Sequence, residues 1–177
     1  MKQQENKFTY NNILNLGVWS NNLIELDTQP LIEAAYKIQK NYPSSLKSNI
    51  GGYQSPSNLI DIKEFSKLTS LINNTMFSLT KTSNFLVTSM WLNISPPNSY
   101  NDIHTHHTST SKFSGVLYIK TPPNSGCITF SNPLEIDLFS KFQPYEKSIL
   151  IFHSCLPHSV EPNFSQEDRI SIAFNFN

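Results

Sequence analysis

The chain has 177 residues, which is enough for one domain with a buried core but not for two comfortable ones. It carries 13 basic and 13 acidic residues, so its formal net charge is zero and no basic surface marks a nucleic-acid or membrane-surface protein. Its 12 phenylalanines and 7 tyrosines favour a β-rich core.

The N-terminal residues 1–8 are polar and charged and contain no apolar segment typical of a signal peptide. No stretch of the sequence approaches the length of a transmembrane helix. Two cysteines, Cys127 and Cys155, are too few to indicate a disulfide framework. We therefore expect a soluble, cytoplasmic protein in which residues 1–177 form a single domain.

The first half of the chain predicts short strands and two helices. Residues 12–26 alternate loosely between apolar and polar side chains, which predicts one or two short strands. The next segment predicts a helix with Thr28 as its capping residue, Pro30 in its first turn and an end before Pro43. Apolar residues at spacings of three and four predict a second helix from about 62 to 80.

From residue 85 onward the sequence consists of short apolar runs separated by Pro, Gly and Asn turns. The predicted strands cover 85–94, 113–120, 127–130, 148–152 and 169–176. Such a pattern is typical of a β-sandwich or a jelly-roll barrel, and two preceding helices would brace one of its sheets. We therefore predict a mainly β fold in which residues 1–84 support a core formed by residues 85–177.

The five histidines all lie between positions 104 and 158, and three of them fall within four positions. In an extended segment His104 and His106 would point to the same side, where one metal ion could take both. His158 follows an apolar strand and a proline turn, and so could join them. Neutral imidazole suits iron, zinc, copper and nickel. The alternative is a solvated polar loop whose histidines bind nothing.

The only arginine, Arg169, begins the last apolar run of the chain. Lysine could supply a charge, but only arginine offers a rigid fork that binds both oxygens of a carboxylate. Ser171 would share its face of the strand and add one hydrogen bond. We expect Arg169 and a metal to hold opposite ends of one small ligand. The alternative is that Arg169 reaches from an edge strand to an ion pair at the surface.

The order of these motifs resembles the 2-oxoglutarate/Fe(II)-dependent dioxygenases, and more closely a group of short 2-oxoglutarate oxygenases of bacteria and marine phages. The residues that carry the resemblance are GGYQS at 51–55, MWLN at 90–93, HTH at 104–106, SGVLY at 114–118, FHSCLPH at 152–158 and RISIAFN at 169–175. The resemblance extends from about residue 48 to the end of the chain, and His158 with Arg169-x-Ser171 is its most specific part.

The resemblance implies a double-stranded β-helix, the jelly roll also found in cupins, with Fe(II) near its open end. It implies an oxygenase that uses 2-oxoglutarate and O2 to oxidise an unactivated C–H bond, usually by hydroxylation. Arg169 and Ser171 would hold the C5 carboxylate of 2-oxoglutarate. Asn93 and Tyr118 would contact the cosubstrate or the substrate, or else be structural. The resemblance leaves open which substrate is used and whether the protein forms a homodimer. If the protein is phage-encoded, it would act in the cytoplasm of the host.

The sequence departs from the usual iron site, which has two histidines and one carboxylate. Two residues after His104 stands His106 where that pattern has an acidic residue. The group of short oxygenases that the chain resembles usually has this His-x-His form, and the resemblance therefore implies a site of three histidines, His104, His106 and His158, as the leading interpretation. A second interpretation pairs His106 with His158 and leaves the third position to water or an anion, as in halogenase-like sites. The role of His107, and the choice between iron, zinc and nickel, stay open.

Two other classes of protein compete with this interpretation. One is a cupin-like metalloenzyme that does not use 2-oxoglutarate, and the other is a non-catalytic jelly-roll binding or structural module. The sequence also offers two segments, 51–56 and 132–146, that could be substrate lids or ordinary connections. Fold alone cannot separate these classes, because jelly rolls host many functions.

Overall fold

The computed structural model describes residues 16–108 and 110–177, apart from the side chain of Ile136. Helices α1 and α2 cover Gln29–Asn41 and Ser66–Thr80, and two short 3-10 turns, at 59–61 and 63–65, precede α2. The described strands, β1 to β11 in chain order, are Val18–Asn22, Asn49–Ile50, Tyr53–Gln54, Val87–Ser95, Tyr100–His104, Phe113–Lys120, Ile128–Asn132, Glu135–Phe142, Ser148–His153, His158–Val160 and Arg169–Phe176. Within these residues no helix is both long enough and apolar enough to cross a membrane.

The strands form two sheets. The large sheet has the order β1-β9-β6-β11-β4-β3, and the small sheet has the order β2-β5-β10-β7-β8. Neighbouring strands in both sheets are antiparallel. The prediction of a mainly β jelly roll is confirmed.

The last strand, β11, shows how the large sheet divides its two faces. Successive side chains of a strand point to opposite faces, so alternate residues of β11 have alternate surroundings. The apolar set packs into the core shared with the helices: Ile170, Ile172, Phe174 and Phe176. The other set lines a cavity and is polar or small: Arg169, Ser171, Ala173 and Asn175. The apolar face holds the sheet on its helices and leaves the other face free for chemistry.

The two helices cover the outer face of the large sheet, and the predicted bracing is confirmed. Their buried side chains in that core are Leu31, Ala35 and Ile38 of α1 and Leu68, Ile72 and Met76 of α2. Thr28 is the N-cap residue of α1 and Pro30 lies in its first turn, as predicted, but the Thr28 hydroxyl donates to the carboxylate of Glu146 at 2.7 Å and forms no capping hydrogen bond with the helix. The second helix begins at Ser66 rather than near residue 62, since 63–65 adopt a 3-10 turn.

Several strands differ from the expectation. Of the predicted strands at 12–26, β1 covers Val18–Asn22, while residues 12–15 lie outside the described part of the chain. β5 and β8 were not predicted; most of the residues whose burial is known in both are exposed, so neither shows a clean apolar alternation. The segment 132–146 contains β8, which pairs with β7 as a hairpin.

Candidate active site

Three of the predicted histidines meet between the sheets. His104 ends β5 and His158 begins β10, and the two residues face each other in the antiparallel pairing of these strands. His106 lies two residues beyond the end of β5. One ligand nitrogen from each of the three side chains lies within 4.8 Å of the other two. His107 is exposed and is not part of this cluster.

Two of these imidazoles are oriented by backbone hydrogen bonds. The Nδ1 of His104 donates to the carbonyl of Asp102 at 2.7 Å, and the Nδ1 of His158 donates to the carbonyl of Leu156 at 2.9 Å. A neutral imidazole with its proton on Nδ1 has a free lone pair on Nε2. A hydrogen bond from the other ring nitrogen to a backbone carbonyl is what fixes the ring of a metal-binding histidine.

The surroundings keep the imidazoles uncharged. Burial, followed by the field of the neighbouring His104, lowers the pKa of His106 to about 4. Burial, followed by the fields of His104 and His106, lowers the pKa of His158 to about 3. Burial also lowers the pKa of His104. All three side chains are therefore neutral at pH 7, which is the form that binds a metal.

Arg169 lies at the start of β11 and is only 2 % exposed. Its guanidinium donates to the backbone carbonyls of Ser125 and Glu161, the latter at 3.5 Å. Among the described residues it forms no ion pair with a carboxylate. Burial lowers the pKa of Arg169, but a guanidinium stays charged at neutral pH. A buried cation without a counter-ion is costly, so this position favours the binding of an anion.

The other predicted residues form a polar row across the large sheet. Ser171 is the register partner of Asn93 on β4 and of Tyr118 on β6. Gln54 on β3 extends the row, since it is the register partner of Asn93. The side-chain oxygen of Asn93 is buried and has no hydrogen-bond partner among the described residues. A ligand between the sheets could form hydrogen bonds with the polar side chains of this row.

One cavity of about 470 Å³ joins these features. It is lined by every side chain that the sequence suggested for a site: His104, His106, His158, Arg169, Ser171, Asn93 and Tyr118. The histidines come from the small sheet or from just beyond it, and the arginine row comes from the large sheet. Of the two predicted lids, the segment 51–56 reaches the cavity through Gln54, whereas no described residue of 132–146 lines it.

Some lining residues were not found from the sequence. Trp91 lies on the same face of β4 as Asn93, with its ring 5.4 Å from that of His106, and the period of two could have indicated it. Lys47 and Ser48 also line the cavity. Their placement depends on the pairing of β2 with β5, which joins residues fifty or more positions apart, so no local pattern signals it.

The sequence matches a family model described as "Putative 2OG-Fe(II) oxygenase", in two overlapping segments at residues 89–141 and 135–175. These segments include the three histidines, Arg169 and the polar row from Asn93 to Ser171. No curated protein matches the sequence.

Solved structures resemble the fold at low sequence identity. A prolyl-4-hydroxylase from Pseudomonas putida is 14% identical, covers 92% of this chain and 92% of its own, and gives a TM-score of 0.65. The epimerase SnoN of nogalamycin biosynthesis, in complex with Fe3+, alpha ketoglutarate and nogalamycin RO, is 13% identical with a TM-score of 0.71, over 91% of this chain and 78% of its own. HygX from Streptomyces hygroscopicus, with nickel and 2-oxoglutarate bound, is 8% identical with a TM-score of 0.66, over 92% and 83%. These similarities show the shared jelly roll.

Proposed function

This chain belongs to the 2OG-Fe(II) oxygenases, a family of oxidoreductases, and on that basis we propose that it hydroxylates a small substrate with Fe(II), 2-oxoglutarate and O2. One observation carries the proposal. A cluster of three neutral imidazoles lines the same cavity as a buried guanidinium that has no carboxylate partner among the described residues. Such a pair of features suits a ligand that binds a metal at one end and carries a carboxylate at the other.

We propose that His104, His106 and His158 bind the iron. With the proton on Nδ1, the Nε2 atoms of His104 and His158 each carry a lone pair, and that of His104 has only a long contact, 3.4 Å, to the Ser48 hydroxyl. These lone pairs and the low pKa values of the cluster support this assignment. No aspartate or glutamate is among the described residues that line the cavity, so a protein carboxylate has no place in the ligand set. Imidazole donors fit Fe(II), and also zinc and nickel.

We propose that Arg169 and Ser171 bind the C5 carboxylate of 2-oxoglutarate. The guanidinium can form two parallel hydrogen bonds with a carboxylate, and the hydroxyl of Ser171 lies on the same face of β11. Asn93 and Tyr118 flank Ser171 on the neighbouring strands and would contact the chain of the cosubstrate. The unpaired oxygen of Asn93 supports a role in binding a hydrogen-bond donor there, such as a water or the substrate.

Bound Fe(II) with 2-oxoglutarate and O2 supplies the oxidation of a C–H bond, while 2-oxoglutarate becomes succinate and CO2. The chain holds the metal on fixed imidazoles and orients the cosubstrate from the large sheet. The apolar side chains of Trp91 and Val116 lie on the same wall as the polar row and keep bulk water from the reacting atoms.

The position of His104 bears on the halogenase-like alternative, in which His106 and His158 bind the metal and water or an anion takes the third ligand position. Because a nitrogen of His104 lies within 4.8 Å of a nitrogen of His106 and of His158, that third position has a protein ligand close at hand. The geometry therefore supports three imidazoles rather than two and an external anion.

Succinate formation tests the proposed function. The protein is incubated with Fe(II), 2-oxoglutarate and O2, and succinate is measured for the wild type, for Arg169→Lys and for the control Lys112→Arg, which changes an exposed residue. We expect succinate from the wild type and the control, and at least about tenfold less from Arg169→Lys, because an ammonium group cannot form the bidentate fork. Equal succinate from Arg169→Lys would show that the bidentate fork of Arg169 does not anchor 2-oxoglutarate. A wild type that forms no succinate would contradict the proposed function and favour a cupin-like enzyme without this cosubstrate.

A further inference from the structure

A short segment, Lys47 to Gln54, crosses from one sheet to the other at the edge of the cavity. Its first strand, β2, belongs to the small sheet and its second strand, β3, belongs to the large sheet. Gly51, whose φ is +69°, lies in the turn that joins them. We call residues 47–54 the crossing segment. It contributes Lys47, Ser48 and Gln54 to the cavity wall.

Hydrogen bonds hold the crossing segment against β5. The backbone N–H of Asp102 donates to the carbonyl of Ser48 at 2.9 Å. The backbone N–H of Lys47 donates to the side-chain oxygen of Asn49 at 2.9 Å, and the amide of Asn49 donates to the carbonyl of Gly52 at 3.1 Å. The backbone that carries Lys47 is therefore fixed before any ligand arrives.

This backbone places Lys47 on the wall of the cavity that holds the histidine cluster. The hydroxyl of Ser48, the adjacent residue, lies 3.4 Å from Nε2 of His104. Lys47 itself is exposed and forms no ion pair with any described carboxylate. Lys47 therefore brings to the cavity wall a cation that has no carboxylate partner among the described residues.

The charges of the cavity all have the same sign. Lys47 and Arg169 are the only charged side chains among its described lining residues. With neutral imidazoles as ligands, the charge of a divalent metal is not reduced by the protein. A divalent metal, Lys47 and Arg169 together carry more positive charge than the two negative charges of 2-oxoglutarate can neutralise. The cavity with metal and cosubstrate bound therefore has a net positive charge. In a partly enclosed cavity this repels a cationic substrate and attracts an anionic one.

We propose that Lys47 binds an anionic group, a carboxylate or a phosphate, of a small-molecule substrate. This inference rests on the proposed function, because it places the substrate beside the bound metal and cosubstrate. Arg169 would hold the anionic end of 2-oxoglutarate, and Lys47 would hold that of the substrate. The crossing segment thereby favours a negatively charged substrate. The polar row cannot do so, because its only charged side chain, Arg169, would be occupied by 2-oxoglutarate.

Inorganic phosphate serves as the probe in a thermal-unfolding experiment. The protein is loaded with Ni(II), which does not react with O2, and saturated with 2-oxoglutarate, and phosphate is then added at constant ionic strength. The variants are Lys47→Gln, Lys47→Arg and the matched control Lys40→Gln, which removes an exposed lysine at the end of α1. We expect a saturable rise of Tm with phosphate in the wild type, in Lys47→Arg and in the control, and about tenfold weaker phosphate binding in Lys47→Gln.

A wild type without a saturable rise, or a Lys47→Gln variant with the same rise, overturns the inference. The first step of the same experiment separates this result from a failure of the proposed function. If 2-oxoglutarate does not raise the Tm of the Ni(II)-loaded wild type, the proposed function fails and the inference falls with it. If 2-oxoglutarate does raise it but phosphate acts independently of Lys47, only the inference is wrong.

Discussion

Arg169 is buried on an inner strand of the large sheet, whereas an arginine in a surface ion pair would be exposed. β11 lies inside the large sheet, between β6 and β4, so the alternative of an edge-strand arginine is wrong. Its guanidinium is 2 % exposed and bonds two backbone carbonyls, of Ser125 and Glu161. A carboxylate that entered the cavity would supply the charge that these neutral acceptors do not.

At the scale of single residues, His158 offers a direct test of the histidine cluster. It is 3 % exposed and contributes one of the three converging nitrogen atoms. We expect His158→Ala to weaken metal binding by more than about 10- to 100-fold, which is the typical effect of removing a group that only hydrogen-bonds to a metal ligand. His107→Ala is the matched control, because His107 is exposed and lies outside the cluster.

Metal content after dialysis, measured with a folded-state check by circular dichroism, distinguishes the two variants. Retention of a full equivalent of metal by folded His158→Ala would contradict the three-histidine assignment. Loss of metal by His107→Ala would indicate that His107, rather than a member of the cluster, is a metal ligand.

The sequence predicted the central residues of this candidate site but not all of the residues at its edge. His104, His106, His158, Arg169 and Ser171 were found because their spacing and residue types are unusual, and they do meet in one cavity. Lys47 and Ser48 reach the same cavity only through the pairing of β2 with β5. A contact of that kind depends on tertiary structure, so spacing along the chain could not reveal it.

At the scale of elements, the large sheet depends on a glycine in β6. Gly115 pairs with Phe174 of β11, and a Cβ atom at Gly115 would collide with the Phe174 ring and lie 2.7 Å from the carbonyl oxygen of Leu150. We therefore expect Gly115→Ala to lower the free energy of unfolding by about 1–3 kcal/mol, measured by urea denaturation. In the control Gly17→Ala, the nearest atom would be at 3.4 Å, in Trp19, and we expect little change.

A Gly115→Ala protein as stable as the wild type would mean that β6 and β11 do not pack as described. The strands predicted from the sequence, such as 113–120 and 169–176, are those with long apolar runs in the centre of the large sheet. β5 and β8 belong to the small sheet and are largely exposed, so their sequences lack the signal that burial imposes.

At the scale of the whole molecule, the two sheets have different roles in the site. The small sheet presents the histidines, and the large sheet, held on its outer face by the two helices, presents the arginine and its polar row. The jelly roll and the two bracing helices could be predicted because turn residues and periodicity mark them locally. The division of the chain at residue 84, within a single domain of 1–177, stays a prediction.

The central claim is that one ligand binds the metal and Arg169 at once, and an anaerobic titration tests it most directly. Protein with Fe(II) is titrated with 2-oxoglutarate, and the weak visible charge-transfer band of the chelated complex is followed in the wild type and in Arg169→Ala. We expect the band in the wild type, and a weaker band in Arg169→Ala at the same 2-oxoglutarate concentration. An iron-loaded wild type with no band, or an Arg169→Ala protein with an unchanged titration, would contradict the claim.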